Sequence, residues 1–210
     1  MDAHQAVRAA AGQVLRIGTA ATGMRWYLAV RGGVAVPPIL GSRSRDTLAG
    51  LGPAPLAAGD LLPAGAASGT DVPLLDFVPV ADPEPGPVEV RAHRGPRADW
   101  FTDAALEAFF TVEWRAGQES DRIGMRLDAP ATARHVAAAA PLLERAVDRE
   151  LPSEPMVAGA VQVSPDGRPT VLLADHPVTG GYPVIAVIAD ASLDAFAQLR
   201  PGQGVLFRHA

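Results

Sequence analysis

The sequence predicts a mostly-β fold, a barrel or sandwich, with a few short helices. Three observations carry this. Short apolar runs rich in branched residues recur along the chain, separated by turns drawn from 21 Gly and 20 Pro among 210 residues. In residues 151–189, LPSEPMVAGAVQVSPDGRPTVLLADHPVTGGYPVIAVIA, three such runs follow one another around two turns. The helical patterns, by contrast, are short.

The stretch 151–189 organises the rest. No charge interrupts residues 155–165 or 177–189. Between them Pro165-Asp166-Gly167 forms a turn, because Pro presets φ and Gly accepts positive φ. A second punctuation at residues 175–181 leads into a third strand over 182–189, so the prediction is a meander of three consecutive strands. Alternation along 156–163 places Val157, Val161 and Val163 on the core face and Ala158, Ala160 and Gln162 on the other.

In chain order, strands are expected at 13–17 and 24–31, the latter with Trp26, Leu28 and Val30 inward. Residues 34–40 contain Pro37-Pro38 and read as an extended edge. Residues 41–47, GSRSRDT, read either as an anion-binding loop with two Arg forks, Arg43 and Arg45, or as a solvated turn leading into a short helix. A short strand is expected at 60–62 and an irregular connector over 66–87. Further strands follow at 88–93 and 111–115. Between these two, Thr102 caps a helix over 103–110. Along 120–127, Arg122, Gly124 and Arg126 share one face, with Gly124 leaving room for a ligand or backbone, opposite Ile123, Met125 and Leu127. Residues 132–150 are Ala-rich and helical in pattern apart from Pro141. Ser192 is expected to cap a helix over 192–199, and a strand at 203–208 closes the chain.

Composition excludes several chemistries. A net charge of −5 offers no footprint for nucleic acid. Cys is absent, which removes thiol nucleophiles and thiolate metal sites. All 18 basic residues are Arg, so neither a Walker A lysine nor a Schiff-base lysine exists in this chain. The five His show no ligand spacing, so no metal site is expected. No apolar run approaches the roughly 20 residues of a membrane span, and the expected location is the cytoplasm.

A few polar groups stand among the apolar runs. Gln162 lies beside small residues, and its amide both donates and accepts, which suits a lactam or urea-like ligand; it also suits a bond to a neighbouring loop. Asp175 and Glu154 can each serve as general base or amide acceptor, or as turn and capping residues. Thr179, Gly180 and Gly181 offer backbone N–H groups at close approach, beside Tyr182.

Residues 151–189, with SDRIGMRL at 120–127, RWYLAVRGGVAVPPILGSRSRDTLAGLG at 25–52 and AQLRPGQGVLFR at 197–208, resemble the biotin-dependent carboxyltransferase family. That family includes allophanate hydrolase subunit 2 and the C-type subunit of bacterial 5-oxoprolinase. The resemblance runs from about residue 11 to the end, weakest over 132–148. It implies cyclophilin-like β-barrels, with residues 1–86 the remainder of a first barrel and 87–210 a second. Family members carry roughly a hundred further residues before the point matching this start, which implies a first barrel only partly represented. Pro155 and Gln203 stand where the family usually has Gly and Asp.

The resemblance implies a subunit of an ATP-dependent 5-oxoprolinase, or of a biotin-dependent carboxyltransferase, acting on a lactam or urea-like amide. The implied partner is the B-type subunit of 5-oxoprolinase or an allophanate hydrolase subunit 1-like protein, joined in 5-oxoprolinase by an A-type subunit. ATP would be bound by the assembly and biotin carried by another subunit. Within that reading Gln162, Asp175 and Glu154 are the expected catalytic residues. Arg122, Arg126, Arg43, Thr179, Gly180, Gly181 and Tyr182 are expected to bind substrate. The alternatives are a regulatory partner of the companion subunit, of the kind that counteracts a kinase inhibitor, and a truncated remnant.

Overall fold

The computed structural model describes residues 4–67, 69, 80–130 and 143–210. Nine strands and two α-helices are found among them: β1 (Val88–Arg94), α1 (Asp103–Thr111), β2 (Glu113–Ser120), β3 (Gly124–Asp128), β4 (Glu154–Pro155), β5 (Ala160–Val163), β6 (Pro169–Leu172), β7 (Thr179–Gly180), β8 (Val184–Ile188), α2 (Asp190–Ala197) and β9 (Gly204–His209). Seven strands close a barrel in the order β1-β8-β5-β6-β3-β2-β9. Strict alternation of direction cannot close a ring of seven, so one neighbouring pair must run parallel. That pair is β1 and β9, with Val88 opposite Val205 and Ala92 opposite His209.

Period-two alternation fills the barrel. Val90 and Ala92, Trp114 and Ala116, Met125 and Leu127, Val161 and Val163, and Val205 and Phe207 all point inward and are buried. A register shift between Val161 and Gln162 against β8 turns both Ile185 and Ala186 inward. The helices plug the ends. Thr102 Oγ1 accepts from Ala105 N–H (3.1 Å), capping α1 as expected. Phe109 of α1 then stacks on Phe207 at 4.5 Å between centroids. Phe196 of α2 reaches the same ring edge-tilted at 6.4 Å. The fold is mostly β with short helices, as the sequence predicts.

Several expectations are corrected. The stretch 151–189 is not a simple meander: β8 passes over β6 and pairs with β5, leaving β5 in the middle. The start of the stretch contributes β4 and its second turn β7, which pair as a separate two-stranded ribbon, Glu154 opposite Gly180 and Pro155 opposite Thr179. Val157 is 55% exposed rather than core, because it precedes the barrel strand. Ser192 sits inside α2, whose N-cap is Ala189. Its hydroxyl accepts from Arg91 N–H (3.1 Å) instead, tying the helix to β1. Of the Ala-rich stretch, residues 131–142 lie outside the described set, and 143–150 carries no helix. Residues 68 and 70–79 of the expected connector likewise lie outside it.

Residues 4–67 contain no strand longer than an isolated bridge, such as Val34 with Ala64. The expected strands at 13–17, 24–31 and 60–62 do not form, since no described neighbour offers a ladder. Trp26, Leu28 and Val30, expected inside, are exposed. The segment is instead tied to the barrel by polar bonds. Gln198 Oε1 accepts from Met24 and Arg25 N–H (both 2.8 Å), and Arg200 Nε donates to Gly23 O (2.7 Å). Further along, the approach to β1 is held by Gln203, whose Nε2 donates to Glu84 O (2.9 Å) and Gly86 O (2.7 Å), bonds that an Asp at this position could not make.

Candidate functional site

The register of the barrel assembles one polar row on its outer surface. Arg126 of β3 lies opposite Thr170 of β6, and Thr170 lies opposite Gln162 of β5. Directly opposed residues point to the same side, so guanidinium, hydroxyl and amide share one face. Two strand spacings of about 4.8 Å separate the outer members. The next row, Gly124 opposite Leu172, supplies a low floor. A Cβ on Gly124 would lie 3.1 Å from Thr170 Cγ2 and 3.2 Å from Val171 O.

One wall of this face comes from an irregularity. Between paired positions Ala116–Leu127 and Ser120–Met125, β2 advances four residues while β3 retreats two. The surplus, around Gln118 and Glu119, arches outward. Asp121 Oδ1 accepts from Ile123 N–H (2.8 Å) and Gly124 N–H (3.0 Å), which turns the chain back into β3. The result is an open hollow of about 480 Å³ lined by Gln118, Glu119, Asp121, Gly124, Arg126 and Thr170, among others. Arg126 pairs with Glu119 at 2.7 Å, both well exposed. Such a pair contributes little stability, so a ligand carboxylate can take the place of Glu119.

The ribbon β4–β7 roofs the neighbouring apolar cluster of Met156, Ala160, Leu172 and Val184. Gln162, 9% exposed, points into this roofed region. Its Nε2 donates to Tyr182 O (3.3 Å) and approaches Met156 Sδ (3.5 Å). Among the described residues nothing donates to its Oε1. The opposite amide orientation would set two carbonyl oxygens against each other, so this one is assigned by its partners.

The other expected site residues fall elsewhere. Asp175 is bound on both oxygens, by Arg122 Nη2 (2.9 Å) and by Thr47 Oγ1 (3.3 Å); Arg122 also reaches Ser44 Oγ (3.4 Å). These bonds clasp the 41–47 loop to the barrel. Arg43 turns its Nε back to Val36 O (2.9 Å) in the preceding 34–40 segment. Glu154 is gripped by two nitrogens of Arg97. The hydrogen bond from Arg97, chiefly, and their charge attraction hold its carboxyl below the ordinary carboxylate range against an opposing effect of burial. Thr179 and Gly180 form β7, Gly181 follows, and Tyr182 exposes its ring while its carbonyl holds Gln162. Among the described residues Gln162 and Asp175 share no partner. Thr170 and Arg97 escaped the sequence reading. Thr170 has a signal, since counting out from the 165–167 turn sets it opposite Gln162. Arg97, 57 residues from Glu154, has none.

Residues 1–209, all but the last of the chain, match the model of the carboxyltransferase domain, subdomain A and B. The chain belongs to this family. Among curated relatives of this carboxyltransferase domain is the C-type subunit of 5-oxoprolinase from Escherichia coli K12, 36% identical over 200 residues. That match takes in 94% of this chain and 60% of the relative, so the domain spans about three fifths of that relative's length. Among solved structures, TTHA0988 superposes with a TM-score of 0.71 at 35% identity, covering 90% of this chain and 34% of that one. The K. lactis urea amidolyase superposes with a TM-score of 0.73 at 26% identity, covering 90% and 12%. No helix among the described residues of the domain is long and apolar enough to cross a membrane.

Proposed function

We propose that this chain is a subunit of an ATP-dependent 5-oxoprolinase-like amidohydrolase, working with a B-type companion and an A-type protein on a lactam that carries a carboxylate. The observation that supports it is the row Arg126–Thr170–Gln162 beside an open hollow, in a chain similar to the C-type subunit of 5-oxoprolinase over nearly all its length. Gln162 Oε1, without a donor among the described residues, suits a lactam N–H, and an exposed, exchangeable Arg126 suits a carboxylate. Urea has no carboxylate, so the same geometry favours a lactam acid over urea as substrate; transfer of a carboxyl group from biotin to urea remains the alternative reaction.

Asp175 and Glu154 have structural partners on both oxygens. The reading therefore gives them anchoring roles instead of the proton transfer expected from sequence. A chain without Lys offers no Walker A cradle, and ATP is assigned to the assembly and any biotin to another subunit. When bound there, ATP supplies phosphoryl activation of the amide; the residues here bind and orient the substrate.

The test is ATP-dependent release of glutamate from 5-oxoproline by the co-expressed subunits. Gln162→Ala and Arg126→Ala should each lower kcat/KM by about tenfold or more, as loss of a polar substrate contact does. Full activity in both variants would reject the site. A second reading, a regulatory binding partner, is favoured by the exposed apolar residues Val14, Tyr27, Leu40 and Leu61. A stable binary complex without turnover would select it.

A further inference from the structure

The ribbon β4–β7 has two residue pairs and one further bond, Met156 N–H to Val178 O (2.9 Å). An isolated two-stranded ribbon is marginal by itself, and Val157 and Val178 beside it are exposed. The side-chain tie between ribbon strand and barrel, among the described residues, is the ion pair of Arg97 with Glu154. Arg97 is well braced to hold it. Its backbone N–H donates to Val184 O (3.1 Å), and its guanidinium lies 6.0 Å from the ring centroid of buried Trp100. The ribbon side is also where the Gln162 amide is held. Its two polar neighbours are Tyr182 O and Met156 Sδ, and a Cβ on Gly180 would fall on Gln162 Nε2.

We propose that Arg97 is a positioning residue: through Glu154 it seats the β4–β7 ribbon, and the seated ribbon turns the Gln162 amide so that Oε1 is left free for a substrate N–H. Glu154 thereby acts through the ribbon rather than on the substrate. This rests on the reading of Gln162 as a substrate contact, but its first test does not need turnover. In the isolated chain, Arg97→Ala and Glu154→Gln should speed amide exchange of residues 154–157 and 178–182 about tenfold or more, with β1, β2 and β9 unchanged. The side-chain NH2 resonances of Gln162 should move towards those of a free amide. Arg97→Lys should recover part of both effects, since Lys keeps the charge but not the two-pronged grip. In the assembled enzyme the Arg97→Ala variant should raise KM for the lactam about tenfold with a smaller change in kcat. Unchanged ribbon exchange would overturn the proposal. So would a loosened ribbon with unmoved Gln162 resonances, because the ion pair would then be structural only. Absence of turnover in the wild-type assembly would sink the functional reading alone, leaving the exchange and resonance measurements to decide the role of Arg97.

Discussion

Two glycines show how the nature of a neighbouring atom sets the cost of a methyl group. A Cβ on Gly180 would meet Gln162 Nε2, the mobile end of a side chain, and lie 3.2 Å from Met156 Cγ. A Cβ on Gly95 would meet backbone of β8, 2.8 Å from both Ala186 N and Ile185 C. A side-chain end can swing aside, whereas a paired strand cannot. Gly180→Ala should therefore cost under about 1 kcal/mol in urea unfolding yet displace the Gln162 amide, read by its NH2 resonances. Gly95→Ala should cost about 1–3 kcal/mol or more by the same measurement. Asp166 adds a pH-dependent residue. Ser164 Oγ–H, chiefly, and Arg168 N–H donate to it and hold its carboxyl below the ordinary range. A carboxyl lowered on folding stabilises the native state above its unfolded value, near 3.9. That contribution is lost as pH falls through the folded value. The stability gap between wild type and Asp166→Asn should be constant at neutral pH and close in acid, below the folded value.

Elements that carry their own signals were legible from sequence, and those defined by a distant partner were not. Helix α1 is marked locally: Thr102 caps it, Asp103 sits in its first turn, and its buried face is Ala105, Leu106, Phe109 and Phe110. Thr102→Ala should therefore lower stability by about 1 kcal/mol in thermal or urea unfolding, with Thr102→Ser close to neutral. Strands β1 and β3 were equally visible from alternation. The pairing of β8 with β5 was not, because nothing in 164–183 says which neighbour a returning strand will choose. The candidate site has the same division. Gln162 and Arg126 were each singled out by residue type, but their shared row depends on two registers across β6. Glu154 looked like a free acid because its Arg97 lies across the fold. The stretch 24–31 had the right composition for a strand and lacks only a ladder partner; composition sets propensity, and pairing decides the element.

At the scale of the molecule, order is unevenly distributed. From Val88 onward seven strands close a ring without an edge of its own and surround a packed interior of Trp114, Phe109, Phe207 and Leu127. Residues 4–67 have turns, isolated bridges and polar tethers at Gln198, Arg200, Arg122 and Asp175, with large apolar side chains facing solvent. Opening free energy follows buried apolar contact and ladder bonding, so the two parts should respond differently to the same challenge. In the isolated chain, trypsin should cut first at Arg8, Arg16 and Arg31, and fragments retaining the barrel from Val88 to His209 should persist. Trp26→Ser and Leu28→Ser should leave the barrel's unfolding midpoint within about 0.5 kcal/mol of wild type, as exposed substitutions do. Trp114→Ala, emptying the barrel interior, should cost about 3–5 kcal/mol. If the companion subunit proposed above covers the segment, its sites should become protected and Trp26→Ser should weaken the complex. Early cleavage inside the barrel, or a large loss of stability from Trp26→Ser alone, would show that the segment is packed as core and that its exposed apolar side chains do not await a partner.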